Sequence, residues 1–408
     1  MPSLTSKSEN RAPIPFAEFV TLVASMMALT ALGIDSMLPA LPAIGEALDV
    51  EAANHRQYVI TAFLIGFAFA QLAYGPLSDR YGRRPVLIGA LLAYAVTSAL
   101  AAVSGSFTLL LVARAAMGAS SAGARVVTVA LVRDCFSGRA MAQVMSLVMI
   151  VFMAAPVIAP GVGEVILWFG SWRMIFWGVA GSGLVVLTWF ALRMPETLPR
   201  EARQPLSPGR IVSDYALVVR DRHSVGYTLA STMIGGAMFG FIGSVQQIMD
   251  DVFGMPQMLV LVFGCICCAM AFGAFLNSRI VIRFGMRPIS HTALTVLTVI
   301  AALHLAVAWT GVESIWTFAA LQALMMGCFG LVGANFSAMA MERMGAIAGT
   351  ASSLQGFVNT LGAALLGAAI GQSFDGSTVP LYIGFVLMGV SALIIVAITE
   401  RGRLYRPT

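Results

Sequence analysis

Apolar residues occupy this chain in long unbroken blocks, and polar residues are confined to the short gaps between them. Twelve blocks stand at roughly 16–40, 54–76, 84–103, 107–132, 140–165, 172–193, 224–246, 257–281, 288–309, 314–341, 346–372 and 378–399. At 1.5 Å of rise per residue, about twenty residues of α-helix cross the ~30 Å hydrocarbon core of a bilayer. The apolar/polar alternation of an outer-membrane barrel strand is absent. The pattern predicts an all-α membrane protein with twelve transmembrane helices, and the even count puts both termini on one side. The polar start, residues 1–15, lacks the short apolar core and cleavage site of a signal peptide, so the first block reads as a retained helix.

The gaps also divide the chain. Residues 194–222 form the longest polar stretch, rich in Pro and charge, and fall near the middle. They read as a linker between a six-helix half at 16–193 and a second at 223–400, with short tails at 1–15 and 401–408. The halves echo each other. "RYGRRP" (80–85) follows the second block and "RFGMRP" (283–288) follows the eighth, about half the chain later. Such a repeat is typical of secondary transporters, whose sites lie near mid-membrane between the repeats.

Composition agrees, with 59% hydrophobic and 11% charged residues, where a soluble domain is about a quarter charged. The net charge of +5 does not call for nucleic acid, because the basic residues are sorted by side. With the termini cytoplasmic, nearly every arginine falls in an inner segment and only Arg56 and Arg173 in outer loops, as the positive-inside rule requires. The five cysteines read as free thiols, and "CICC" (265–268), with no histidine nearby, as small packing residues and not a metal site. No Gly-rich phosphate loop is present and the single lysine is Lys7, so ATP-driven transport is excluded along with enzyme activity. No cofactor or metal is expected.

Charged groups inside the blocks are expensive and mark function. Asp35 lies in the outer half of the first block. Arg114 and Arg125 lie in the fourth, eleven residues apart, on one face and ~16 Å apart along the axis. Glu164 lies near the outer end of the fifth block, as a second titratable candidate or an interfacial residue. The second half offers uncharged polar groups, among them Gln322, Asn335, Gln355 and Asn359, which are candidates for a cavity wall. With 24 Met and 24 Phe, the cavity suits an apolar, adaptable ligand.

"GPLSDRYGRRPVL" (75–87) resembles the loop signature of the major facilitator superfamily at Gly75, Asp79, Arg80, Gly82, Arg83 and Arg84. "RAAMG" (114–118), "APGVG" (159–163) and "PET" (195–197) are similar to motifs of its drug:proton antiporter branch. "GIDSMLPALPAI" (33–44) and "ALVRDCF" (130–136) narrow the likeness to the bicyclomycin/chloramphenicol-resistance subfamily. Glu164 departs from the helix-5 motif, which usually has glycine there. The second loop copy has Ile282 where the first has Asp79, so only the first is expected to make the motif's carboxylate contacts.

The resemblance implies a cytoplasmic gate built from Gly75, Asp79, Arg80, Gly82, Arg83 and Arg84. In it Asp79 pairs with Arg83 and meets the positive end of the eleventh helix when the carrier faces outward. Gly75 and Gly82 then permit close packing and a tight turn. It also implies that the first and fourth helices line the cavity, which sets Asp35 and Arg114 at similar depth as a proton-coupling or substrate pair. Burial and a nearby arginine pull the protonation of Asp35 in opposite directions. Arg125, by its position in the inner half of the fourth block, meets substrate or the inner vestibule, or else makes a structural hydrogen bond. The implied protein is a monomeric, proton-driven antiporter of the bacterial inner membrane. It exports hydrophobic drugs or other small amphipathic molecules by alternating access. A proton-coupled exporter of a sugar or amino acid is the alternative. One charge crossing 100 mV releases ~2.3 kcal/mol, enough for a gradient of nearly fiftyfold.

Overall fold

The computed structural model describes residues 12–203 and 208–406. Most of the expected N-terminal tail, linker residues 204–207 and the last two residues of the C-terminal tail lie outside the described residues. Twelve long helices follow one another: α1 (Phe16–Asp35), α2 (Tyr58–Tyr81), α3 (Arg83–Ala102), α4 (Phe107–Cys135), α5 (Gly138–Phe169), α6 (Arg173–Arg193), α7 (Arg222–Gln247), α8 (Leu259–Phe284), α9 (Met286–Trp309), α10 (Ile315–Met341), α11 (Ala348–Gln372) and α12 (Val379–Thr399). All twelve are long and apolar enough to span a bilayer. Polar side chains set several starts: Ser106, Asp221 and Ser314 accept the backbone N–H of Leu109, Ser224 and Thr317.

Two elements differ from the sequence reading. The linker is partly helical, with an amphipathic helix at Pro208–Arg220 packed on α11 through Val218, Met344 and Ala351. The first block is also not one continuous helix. α1 stops at Asp35, a 3-10 turn covers Leu38–Ala40, and a short helix runs from Leu41 to Ala47. Pro39 explains the stop, because its ring has no N–H to give and crowds the carbonyl four residues earlier, that of Asp35. The break therefore falls on Asp35, the carboxylate in the outer half of the block.

Packing repeats with a shift of six helices. In the first half α2 packs on α4, α3 on α4 and α6, and α1 on α4, α5 and α6. In the second, α8 packs on α10, α9 on α10 and α12, and α7 on α10, α11 and α12. The halves meet through α2 on α11 and α5 on α8, which is itself a symmetric pair of contacts. The core is one apolar body running through both halves. Below, the end of the bundle holding the start of α1 and the end of α12 is the terminal side, and the opposite end the far side.

Candidate functional site

Between the halves lies a cavity of about 270 Å³. Eight helices line it: Thr30, Ala31, Ile34 and Asp35 of α1, Leu64 and Phe67 of α2, Arg125 of α4, Phe152 and Pro156 of α5, and from the second half residues of α7, α8, α10 and α11. The second-half wall is nearly all apolar: Met238, Phe239, Phe241, Ile242, Phe263, Ile266, Met270 and Met326, with only Cys267 and Thr360 as polar exceptions. Such a wall suits a greasy ligand and offers a sugar few partners.

Two charges face this space. Asp35, at the end of α1, is 5% exposed. It has no hydrogen bond or ion pair among the described residues. Such a carboxylate carries its charge at a cost of roughly 2.5–3.5 kcal/mol on insertion scales, which a proton or a ligand donor relieves. Arg125 is exposed to the cavity and is flanked by the rings of Phe67 at 5.8 Å and Phe152 at 5.6 Å. It too has no ion pair or hydrogen bond among the described residues. The rings hold the guanidinium by cation–π attraction and leave its N–H donors free.

Arg114 corrects the expectation of an Asp35–Arg114 pair. It is fully buried, does not line the cavity and has no ion pair among the described residues. Its Nε donates to the Val59 carbonyl at 3.0 Å and its Nη1 to the Gly33 carbonyl at 2.7 Å, with the Phe63 ring 4.8 Å away. Backbone carbonyls of α1 and α2 thus take two of the donors that an acid was expected to take, while Nη2 has no hydrogen-bond partner among the described residues. Arg114 ties three helices together one short step from Asp35.

Other predicted cavity residues also sit elsewhere. Glu164 is half-buried and does not line the cavity. At 100° per residue it is turned away from Gly163, where a Cβ would run into the Ser36 carbonyl. Gly163 thus lets α5 cross the break in α1. Gln322 accepts from the Tyr382 hydroxyl at 3.4 Å, and Asn335 and Asn277 exchange two bonds at 2.8 and 3.1 Å. Gln355 donates to Ser224 and Ala340, and Asn359 to Ser231. These amides cross-link second-half helices, as polar groups in lipid tend to do, and the cavity is left apolar. His304 is buried against Tyr382 and bonded to Glu313, away from the cavity.

On the terminal side, the loop motif forms a clamp within the first half. Arg83 donates to Asp79 at 2.5 Å, Ser78 at 2.7 Å and Asp134 of α4 at 2.9 Å. Glu196, of the "PET" motif, accepts the backbone N–H of Arg83 and Arg84 at the start of α3, a favoured place for an anion. Gly82 makes the turn with φ of 103°, which side chains avoid. Arg84 donates to the Ala191 carbonyl. Arg80 is exposed and stands over Tyr81. A Cβ at Gly75 would meet open space, so no close packing requires that glycine here. Among the described residues Asp79 makes no bond to α11 in this conformation. The second copy does engage carboxylates, contrary to the sequence reading: Arg287 donates to Glu400 at 2.9 Å and Glu342 at 3.1 Å. The acids come from the ends of α10 and α12, so the missing Asp79 counterpart is not needed. Burial pushes the Glu400 carboxyl up, but hydrogen bonds from Tyr227 and Arg287 and the charge of Arg287 outweigh it and hold it below its ordinary range.

Sequence reasoning missed the far side, where uncharged amides join the halves. Gln57 donates to Gln247 at 2.5 Å and to the Gly371 carbonyl at 3.1 Å. Gln247 donates to Asn54, Asn54 to the carbonyls of Gln372 and Phe374, and Gln372 to that of Asn54. Toward the middle, Gln71 meets Thr360 and Phe69 meets Phe357. Among the described residues no hydrogen bond or ion pair joins the two six-helix groups on the terminal side. Polar contacts thus close the halves together on the far side. Amides at the far ends of three blocks were the available signal.

A sequence model described as the Major Facilitator Superfamily matches residues 23–367. The bicyclomycin resistance protein homolog of Haemophilus influenzae is 31% identical over 89% of this chain and 91% of its own. Multidrug resistance protein D of Escherichia coli is 27% identical over 88% of this chain and 91% of its own. Among solved structures, a D-xylose-proton symporter superposes with a TM-score of 0.73 at 15% identity, covering 93% of this chain and 97% of that one.

Proposed function

The chain belongs to the Major Facilitator Superfamily, and from that premise we propose that it is a proton-coupled antiporter that exports hydrophobic, drug-like molecules. It stands in the drug:proton antiporter branch, beside proteins named for bicyclomycin, chloramphenicol and multidrug resistance. One observation carries the site assignment: a carboxylate without a partner among the described residues, Asp35, faces an apolar cavity between the two halves.

The chain lies in the inner membrane of a bacterial cell with its termini, and the side where no polar contact joins the halves, in the cytoplasm, a reading that the arginine distribution supports. Substrate enters from that side into the cavity and engages ionised Asp35. The halves then rock about the cavity. The amide lattice of Asn54, Gln57 and Gln247 opens and the Asp79–Arg83 clamp approaches α11. An outside proton takes Asp35, substrate leaves, and the protonated carrier returns. No cofactor takes part. The whole path lies between the halves of one chain, which supports a working monomer.

The test uses inside-out membrane vesicles energised to an acid interior. The protein should accumulate chloramphenicol in the lumen and lose it when nigericin collapses the pH gradient. Accumulation that survives the collapse would contradict proton coupling.

A further inference from the structure

The cavity holds two charges of opposite sign, each without an ion pair among the described residues, and they stand at opposite ends of it. Arg114 is bonded to the Gly33 carbonyl, so Asp35 lies near the level of Arg114. Arg125 is eleven residues further along α4, ~16 Å toward the terminal side. Allowing for side-chain reach, the two charged groups address points on the order of 10 Å apart. Between them the lining is aromatic, aliphatic and thioether. Besides Asp35 and Arg125, Cys267 is the only titratable group among the described lining residues.

The geometry points to a bipolar ligand: an apolar body with a hydrogen-bond donor or cation at one end for Asp35 and an acceptor at the other for Arg125. This rests on the exchange reading above, and it follows from charge. A ligand that is only a cation meets Asp35 but brings a second positive charge into a low-dielectric space that already holds Arg125. A ligand that is only an anion pairs with Arg125 but is repelled by ionised Asp35. It binds best when Asp35 carries its proton, so it travels with the proton and not against it. A ligand engaging both groups is held while Asp35 is ionised and loses one of its two anchors when the proton arrives, which is what exchange requires. Phe67 and Phe152 fix the guanidinium plane beside the ligand, and its N–H fork suits a planar acceptor such as a nitro, amide or carboxylate group. Arg125 is thereby a specificity-determining residue.

Equilibrium dialysis of purified protein at neutral pH tests this with three probes: chloramphenicol (neutral, with donors and a nitro acceptor), tetraphenylphosphonium (a cation only) and salicylate (an anion only). Wild type should bind chloramphenicol at least tenfold tighter than either ion. Arg125→Gln should weaken chloramphenicol at least tenfold and tighten tetraphenylphosphonium, a gain that a misfolded variant cannot show. Asp35→Asn should weaken chloramphenicol and tighten salicylate. Unchanged chloramphenicol affinity in Arg125→Gln, an equal loss of all three probes, or wild-type preference for either ion overturns the proposal. Proton release on chloramphenicol binding, read in weak buffer, tests the exchange reading separately. If release is absent while the selectivity pattern holds, exchange fails and the ligand class stands. If release is present while the pattern is lost, the ligand class fails alone.

Discussion

Arg114 and Arg125 share a helix and a residue type, and their surroundings give them opposite roles. Arg114 is buried with its donors on the carbonyls of Val59 and Gly33, and a hydrogen bond from a charged group contributes ~1.5–3 kcal/mol. Arg114→Ala should therefore destabilise the protein by about 3 kcal/mol, seen as a clear fall in melting temperature in detergent. Arg125→Ala, with no such bond to lose, should stay within ~0.5 kcal/mol of wild type. Equal melting temperatures for the two variants would contradict the placement of Arg114. Glu400 adds a pH signature. Its carboxyl lies below the ordinary 4.5 in the folded protein, so its stabilisation is present above that value. It is lost as pH falls through the lower folded value. Melting temperature should drop below about pH 4.5, and Glu400→Gln should flatten that drop. An unchanged slope would remove Glu400 from the Arg287 network.

At the scale of elements, the far-side gate is a lattice of neutral amides on the ends of α7 and α11 and the segment leading into α2. Each bond is replaced by water on opening, so each contributes ~1 kcal/mol net. The whole lattice biases the carrier by a few kcal/mol, the gap expected between two exchanging states. Gln57→Ala removes the bonds to Gln247 and Gly371. Spin labels at Glu51 and Ser373, in a background without the native cysteines, should then show a larger far-side-open population by pulsed electron resonance. An unchanged distance distribution would mean the lattice does not hold the gate. The twelve helices were legible because lipid allows no exposed backbone and so forces long apolar runs. The break in α1 was legible in principle at Pro39 and Pro42, but the apolar pattern alone runs straight across it. The gate was hidden because amide pairs between halves distant in sequence leave no local periodicity.

For the molecule as a whole, the sixfold shift in packing and the central cavity realise the two-half architecture that the repeated "RYGRRP" and "RFGMRP" segments pointed to. Asp35 and Arg125 stood out in the sequence because charge in a spanning helix is rare, and both line the cavity. Gln322, Asn335, Gln355 and Asn359 stood out for the same polarity, yet each found a partner in a neighbouring helix. Sequence shows that a group needs a partner and not which one it takes. Cys267 and the phenylalanines of the wall were invisible for the converse reason, since apolar residues packing a helix and lining a cavity look alike. The central claim is that Asp35 is where proton and substrate exclude each other. Its most direct test is transport in proteoliposomes under an imposed pH gradient, wild type against Asp35→Asn. Wild type should concentrate chloramphenicol against its gradient, while Asp35→Asn should only equilibrate it, with no response to pH. Uphill, gradient-driven transport by Asp35→Asn at the wild-type rate would contradict the claim.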